Sequence, residues 1–179
     1  MYKYLIPFPV PDPFKGRICE LQDAVATITN ISPPYWRLAP HVTFHRPLTG
    51  ISENVLKNIV GSAVLQMRQT RITLHALYPF GKHYIVLPVQ ATRAVASLWV
   101  EINNLLRRLP EYEHGEYDDD NTLHVTIAEK TTPVFDRAWP AVRKIPFEPI
   151  TVPLRSVALW RKSAEGGAWE TVEAFNIPA

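Results

Sequence analysis

An α+β fold with two similar halves is what this 179-residue sequence predicts. Three observations carry that reading. His41-Val42-Thr43-Phe44 recurs as His124-Val125-Thr126-Ile127, 83 residues later and close to half the chain length. The elements run strand, helix, motif strand, helix, hairpin, helix, motif strand, helix, hairpin, so each half repeats one plan. The β-rich runs are short and Pro-punctuated, while the helical stripes are long and amphipathic.

The elements follow in order. Tyr2 to Phe8 reads as a strand closed by Pro7, Pro9 and Pro11. Asp12-Pro13 reads as an N-cap acid with proline at the first helical position. Ile18, Leu21, Val25 and Ile28 then recur at helical spacing over residues 13 to 29. Ser32-Pro33-Pro34 breaks the chain, and Tyr35 and Trp36 precede the first motif strand at 39–48. Ser52 caps a second helix whose apolar stripe runs from Val55 to Met67. Residues 71–77 and 83–89 form a hairpin around Tyr78-Pro79-Phe80-Gly81-Lys82. Thr92 caps a third helix with the stripe Val95, Leu98, Trp99, Ile102, Leu105, Leu106 and Leu109, ended by Pro110. An acidic loop spans 111–121, and residues 123–129 form the second motif strand. Thr132-Pro133 opens a short helix that Pro140 limits or kinks. Residues 150–161 and 168–175 are the last two strands, turned by Glu165-Gly166-Gly167.

Period-2 alternation places His and Thr of each motif on one strand face and the apolar residues on the other. Each motif strand thus has a buried face (Val42, Phe44; Val125, Ile127) and an open face with an imidazole and a hydroxyl. With six His and thirteen Thr, one His-x-Thr arises by chance about 0.4 times. A pair sharing the central Val and a large apolar fourth residue is far rarer, on the order of one in several hundred such chains.

The paired His-x-Thr-x motifs resemble those of the 2H phosphoesterases, in particular the group named 2′-5′ RNA ligase-like or cyclic phosphodiesterases. The likeness extends over the opening Pro-ended strand, residues 36–43, the middle hairpin and the Pro-punctuated C-terminal hairpin. It implies a bilobal α+β domain over 1–179, two mostly antiparallel sheets backed by helices and facing a central cleft. It further implies that His41 and His124 are the acid and base, in an order left open, and that Thr43 and Thr126 hold the phosphate. No cofactor and no metal are then needed. The expected activity is hydrolysis of RNA or nucleotide 2′,3′-cyclic phosphates to 2′-phosphates, together with reversible 2′-5′ RNA ligation by the same four residues. The ligand is an RNA 3′ end or a small nucleotide with a cyclic phosphate or 2′-5′ linkage.

Elementary chemistry supports those roles. Hydrolysis of a phosphodiester needs a base for water, an acid for the leaving oxygen and donors for the non-bridging oxygens. Imidazole titrates near neutrality, and threonine hydroxyls donate without adding charge. Two readings compete: a non-catalytic nucleotide-binding module, and a metallohydrolase using His41, His124 and an acid from 118–120. Neither motif has clustered metal-ligand spacing, and threonine is a poor zinc ligand.

Four further residues are candidates for substrate contact. His45 shares the face of His41 if the strand stays regular. Lys130 shares the face of His124 by the same alternation. Family members often carry a basic residue just past the second motif, but the nearer position here is the acidic Glu129. Trp36, before the first motif, could stack on a base, and Tyr84, at a strand start beside a turn, could face the cleft. His75 is expected to be structural, and Asp118-Asp119-Asp120 a solvated acidic run.

Composition bounds the rest. A net charge of +2 makes no case for duplex nucleic acid. The single cysteine, Cys19, excludes an intramolecular disulfide and fits a reducing compartment. No run approaches a membrane span, and the Pro-broken start is too short for a signal peptide. A cytoplasmic monomer with no membrane partner is expected.

Overall fold

A computed structural model describes residues 1–115 and 122–179. The acidic triplet at 118–120 lies outside the described residues. The strands are β1 (Tyr2–Pro9), β2 (His41–Leu48), β3 (Thr70–Leu74), β4 (Tyr78–Phe80), β5 (Tyr84–Gln90), β6 (His124–Glu129), β7 (Ile150–Leu154), β8 (Ser156–Ser163) and β9 (Glu170–Asn176). The helices are α1 (Phe14–Thr29), α2 (Glu53–Leu65), α3 (Arg93–Arg107) and α4 (Phe135–Val142). A 3-10 turn, Pro34–Trp36, precedes β2.

The strands join in the order β7-β3-β5-β6-β2-β1-β8-β9, with β4 paired to β5, and the pairs are antiparallel. The two motif strands, β2 and β6, are neighbours at the centre of that order. They are paired at one position only, Val42 opposite Val125. On either side the arrangement repeats: a partner strand for each (β1, β5), then a strand completing a hairpin or edge.

The core lies on the face of Val42, Phe44, Val125 and Ile127, all buried. Ile18, Leu21 and Val25 of α1, Leu56 and Val60 of α2, Leu98 and Ile102 of α3, and Val142 of α4 join the same apolar cluster. Burying each such side chain contributes roughly 1.5–3 kcal/mol. With the helices on that face, the His and Thr side of the motif strands is left open.

The α+β class and the antiparallel, helix-backed architecture agree with expectation. Local boundaries differ at α4, which begins at Phe135 rather than at Thr132-Pro133 and runs through Pro140 to Val142, and in three other places. First, α1 begins at Phe14, with Pro13 in the N-cap position and no side-chain cap. Asp12 is not used, because Lys15 N bonds Pro11 O instead, at 3.0 Å. Second, Tyr78–Phe80 is not loop but strand β4, folding onto β5 as Tyr78↔Val86 and Phe80↔Tyr84. Gly81, at φ 56, makes the tight turn between them. Third, the run 150–161 is two strands, broken at Arg155, whose carbonyl accepts from Ile177 N at 2.8 Å. β7 pairs with β3 while β8 crosses to β1 and β9. Pro153 is accommodated because β7 is an edge strand. The side-chain caps at Ser52 and Thr92 form as read, each accepting from a backbone N–H at 3.4 Å.

Candidate active site

Register alone assembles the site. With Val42 opposite Val125 in an antiparallel pair, His41 stands opposite Thr126 and Thr43 opposite His124. The alternation that buries both valines turns these four side chains to the open face. They form a two-by-two patch in which like residues are diagonal. From strand rise and spacing, the two His Cα atoms lie about 8 Å apart. A group placed over the patch centre has an imidazole on each side and a hydroxyl on each side.

The two rings are held the same way. His41 Nδ1 is 2.8 Å from Ala39 O, and His124 Nδ1 is 2.9 Å from Thr122 O. A carbonyl only accepts, so each Nδ1 carries a proton and donates it. Nε2 is then the nitrogen of each ring that does not face this carbonyl. An aromatic edge braces each ring: Trp160 against His41 and Phe80 against His124, both at 5.1 Å between centroids. Desolvation lowers the pKa of His41 from 6.5 to about 4. The Ala39 carbonyl opposes this by favouring the protonated ring, and repulsion from His124 adds to the lowering. His41 is thus neutral at pH 7, with an available lone pair on Nε2.

Support reaches the patch from α1. Gln22, 1% exposed, donates from Nε2 to Thr126 O at 2.8 Å. Among the described residues its buried Oε1 has no hydrogen-bond partner, nor has the buried Oδ1 of Asn103 on α3. Both carboxamides line the cleft.

The cleft over the patch has a volume of about 1200 Å³ and is lined by His41, Thr43, His124 and Thr126 together. Of the outlying candidates, Trp36 (67% exposed) and Tyr84 (38% exposed) stand on its rim. His45 does not continue the row. A bulge between Ile6↔His45 and Pro7↔Thr43 breaks the alternation. His45 is buried, with its Nε2 2.9 Å from Tyr112 Oη, and meets the cleft only from within its wall. Lys130 also leaves the row. β6 ends at Glu129, and Lys130 is exposed in a left-handed conformation, φ 59, beside a smaller pocket next to Trp36. The cleft mouth carries Glu129 instead, ion-paired to Arg37. His75 contacts Gln90 away from the cleft, in keeping with a structural role.

Trp160, Phe80, Gln22 and Arg37 were not legible as site residues. Trp160 and Phe80 become neighbours of the motif rings only through the pairings β1–β8 and β4–β5. The cue for Gln22 was a polar residue one position after the apolar Leu21 in the buried stripe of α1.

Among the described residues, no helix is long and apolar enough to cross a membrane, and no group of three His, Cys, Asp or Glu side chains could hold a metal ion.

Comparison with known structures places the architecture. TT0787 of Thermus thermophilus superposes with a TM-score of 0.71 at 16% identity, covering 98% of this chain and 97% of that one. E. coli LigT in its apo form gives 0.65 at 11% identity, covering 100% and 99%. LigT complexed with 3′-AMP gives 0.62 at 12% identity, covering 99% and 98%. No curated protein matches the chain in sequence. The family profile described as the 2′-5′ RNA ligase superfamily matches residues 10–166, nearly the whole of the fold and both motif strands, and the chain therefore belongs to the 2′-5′ RNA ligase superfamily.

Proposed function

We propose that the protein is a metal-independent phosphoesterase that opens 2′,3′-cyclic phosphates of RNA or nucleotides to 2′-phosphates. The observation that carries this reading is the diagonal His/His and Thr/Thr patch, set by the single register Val42↔Val125. Structures of LigT with phosphate, ATP and 3′-AMP, and of Kluyveromyces marxianus Usb1 with uridine monophosphate, give the same fold a record of holding phosphate and nucleotides.

In this reaction His41, neutral because of its desolvation, takes a proton from water through Nε2. The water oxygen bonds to phosphorus as the bond from phosphorus to O3′ breaks. His124, protonated, gives its Nε2 proton to O3′. Thr43 and Thr126 donate hydroxyl hydrogens to the non-bridging oxygens, whose charge rises in the transition state. Each proton transfer contributes typically 10²–10⁴-fold. A 2′-5′ ligation would use the same groups in the same roles, with a 5′-hydroxyl in place of water, and the histidines would exchange roles when that ligation runs backwards.

The test is turnover of the four nucleoside 2′,3′-cyclic phosphates, with the product identified by phosphorus NMR. A 2′-phosphate is the expected product. A 3′-phosphate would reverse the substrate in the cleft, and binding without turnover of any of the four would replace the enzyme with a binding module.

A further inference from the structure

The strand order sets two hairpins on opposite flanks of the catalytic patch, β4–β5 beyond β6 and β8–β9 beyond β1. Each brings an aromatic side chain to the cleft, Tyr84 on one flank and Trp169 on the other. The β8–β9 side is the more elaborate. Gly166 and Gly167, at φ 122 and 111, let the chain double back where an L side chain would be strained. Trp169 then returns over the cleft before β9 begins at Glu170. It packs against the small apolar cluster of Leu5, Ala158 and Trp160, and Trp160 in turn touches His41. Trp169 is only half-buried by that packing, and Lys162 Nζ lies 4.9 Å from its ring centroid. Lys162 and Trp169 both line the catalytic cleft.

Volume and chemistry agree on an occupant. Small-molecule sites commonly enclose roughly 300–1,000 Å³, and this cleft encloses about 1200 Å³. A ring face paired with a cation is the combination that holds one base by stacking and one backbone phosphate by charge in single-stranded nucleic acid. We propose that Trp169 and Lys162 form a second nucleotide subsite. The cleft then takes a single-stranded oligoribonucleotide, its terminal phosphate over the histidine–threonine patch and its adjoining nucleotide on the β8–β9 hairpin. The proposal rests on the phosphoesterase reading for what lies over the patch, while the subsite itself stands on Lys162, Trp169 and the cleft.

Two measurements on the full chain test it. The first is kcat/KM on 2′,3′-cyclic phosphates of one, two and three nucleotides. The wild type is expected to gain roughly tenfold from one nucleotide to two, as for one added base stack, and Trp169→Ala to lose most of that gain while Trp169→Phe keeps it. The second is binding of a fluorescently labelled trinucleotide as salt is raised. Lys162→Ala should flatten the logarithmic salt dependence by close to one phosphate contact, a readout that remains decisive if Trp169→Ala misfolds. A wild type indifferent to length, or Trp169→Ala losses equal at every length, overturns the subsite. So does a salt slope unchanged in Lys162→Ala. Weakened trinucleotide binding in both variants with no turnover of any cyclic phosphate would keep the subsite and remove the phosphoesterase reading. Turnover of mononucleotides with trinucleotide binding unaffected by either substitution would do the reverse.

Discussion

Acidification should destabilise this fold through His41 in particular. The ring is lowered from 6.5 to about 4, first by desolvation. An unfolded chain has no such burial and protonates His41 near 6.5. As pH falls from about 6.5 towards 4, the unfolded state therefore takes up the proton before the folded state does. The contribution to stability is complete above the unfolded value, shrinks across that window and is gone below about 4. The difference between 6.5 and about 4, at about 1.4 kcal/mol per pH unit, corresponds to roughly 3 kcal/mol. The ring is open to the cleft on one side, so solvent screening reduces the measurable effect to about 2 kcal/mol. Urea unfolding at a series of pH values, wild type against His41→Gln, reads this directly. The wild type should lose about 2 kcal/mol more than the variant between pH 7 and pH 4. Proton NMR of the imidazole Cε1–H signals, with His41 identified by its absence in the variant, should show it titrating well below the ordinary range. A His41 signal titrating near 6.5, with parallel stability curves for the two proteins, would refute the desolvation argument and with it the assignment of His41 as the base.

Three further outcomes are expected. Thr43→Val and Thr126→Val should each lower kcat by roughly 10²–10³-fold, as for a lost oxyanion donor, with little change in urea midpoint; full activity in both would remove threonine from the mechanism. Gln22→Leu should cost about 1–3 kcal/mol in urea unfolding, because the part-buried hydrogen bond to the Thr126 carbonyl is lost, and should lower kcat more than it raises KM. Leu87→Ala, at a site fully buried in β5, should cost about 2–5 kcal/mol yet leave kcat per folded molecule near the wild-type value.

Much of this architecture could be read from the chain because its signals are local. A His-x-Thr pair alternating with Val and a large apolar residue announces a strand with one wet face, and both copies fold so. Ser52 and Thr92 announce helix starts and act as caps. What escaped the sequence depends on pairing between distant segments. Nothing local says that β2 and β6 touch at Val42 and Val125, yet that contact turns two separate motifs into one patch. Nothing at Pro153 to Arg155 says that the chain changes partners there, since both flanking runs have the same β-rich composition. The regular alternation that placed His45 and Lys130 beside their motifs fails for two backbone reasons, a bulge in β2 and the end of β6. The cleft mouth then acquires Arg37, from the turn before β2, through its ion pair with Glu129.

The central claim is that His41 and His124 act as one acid–base unit without a metal. The most direct test is kcat/KM for a nucleoside 2′,3′-cyclic phosphate after prolonged chelation, measured for the wild type, His41→Ala, His124→Ala and the double variant. The account predicts an unchanged wild-type rate after chelation, near-complete loss in each folded single variant, and a double variant little worse than either single, because the two groups act together. Activity that falls on chelation and returns with zinc or manganese, or losses in the two single variants that simply multiply in the double, would contradict it.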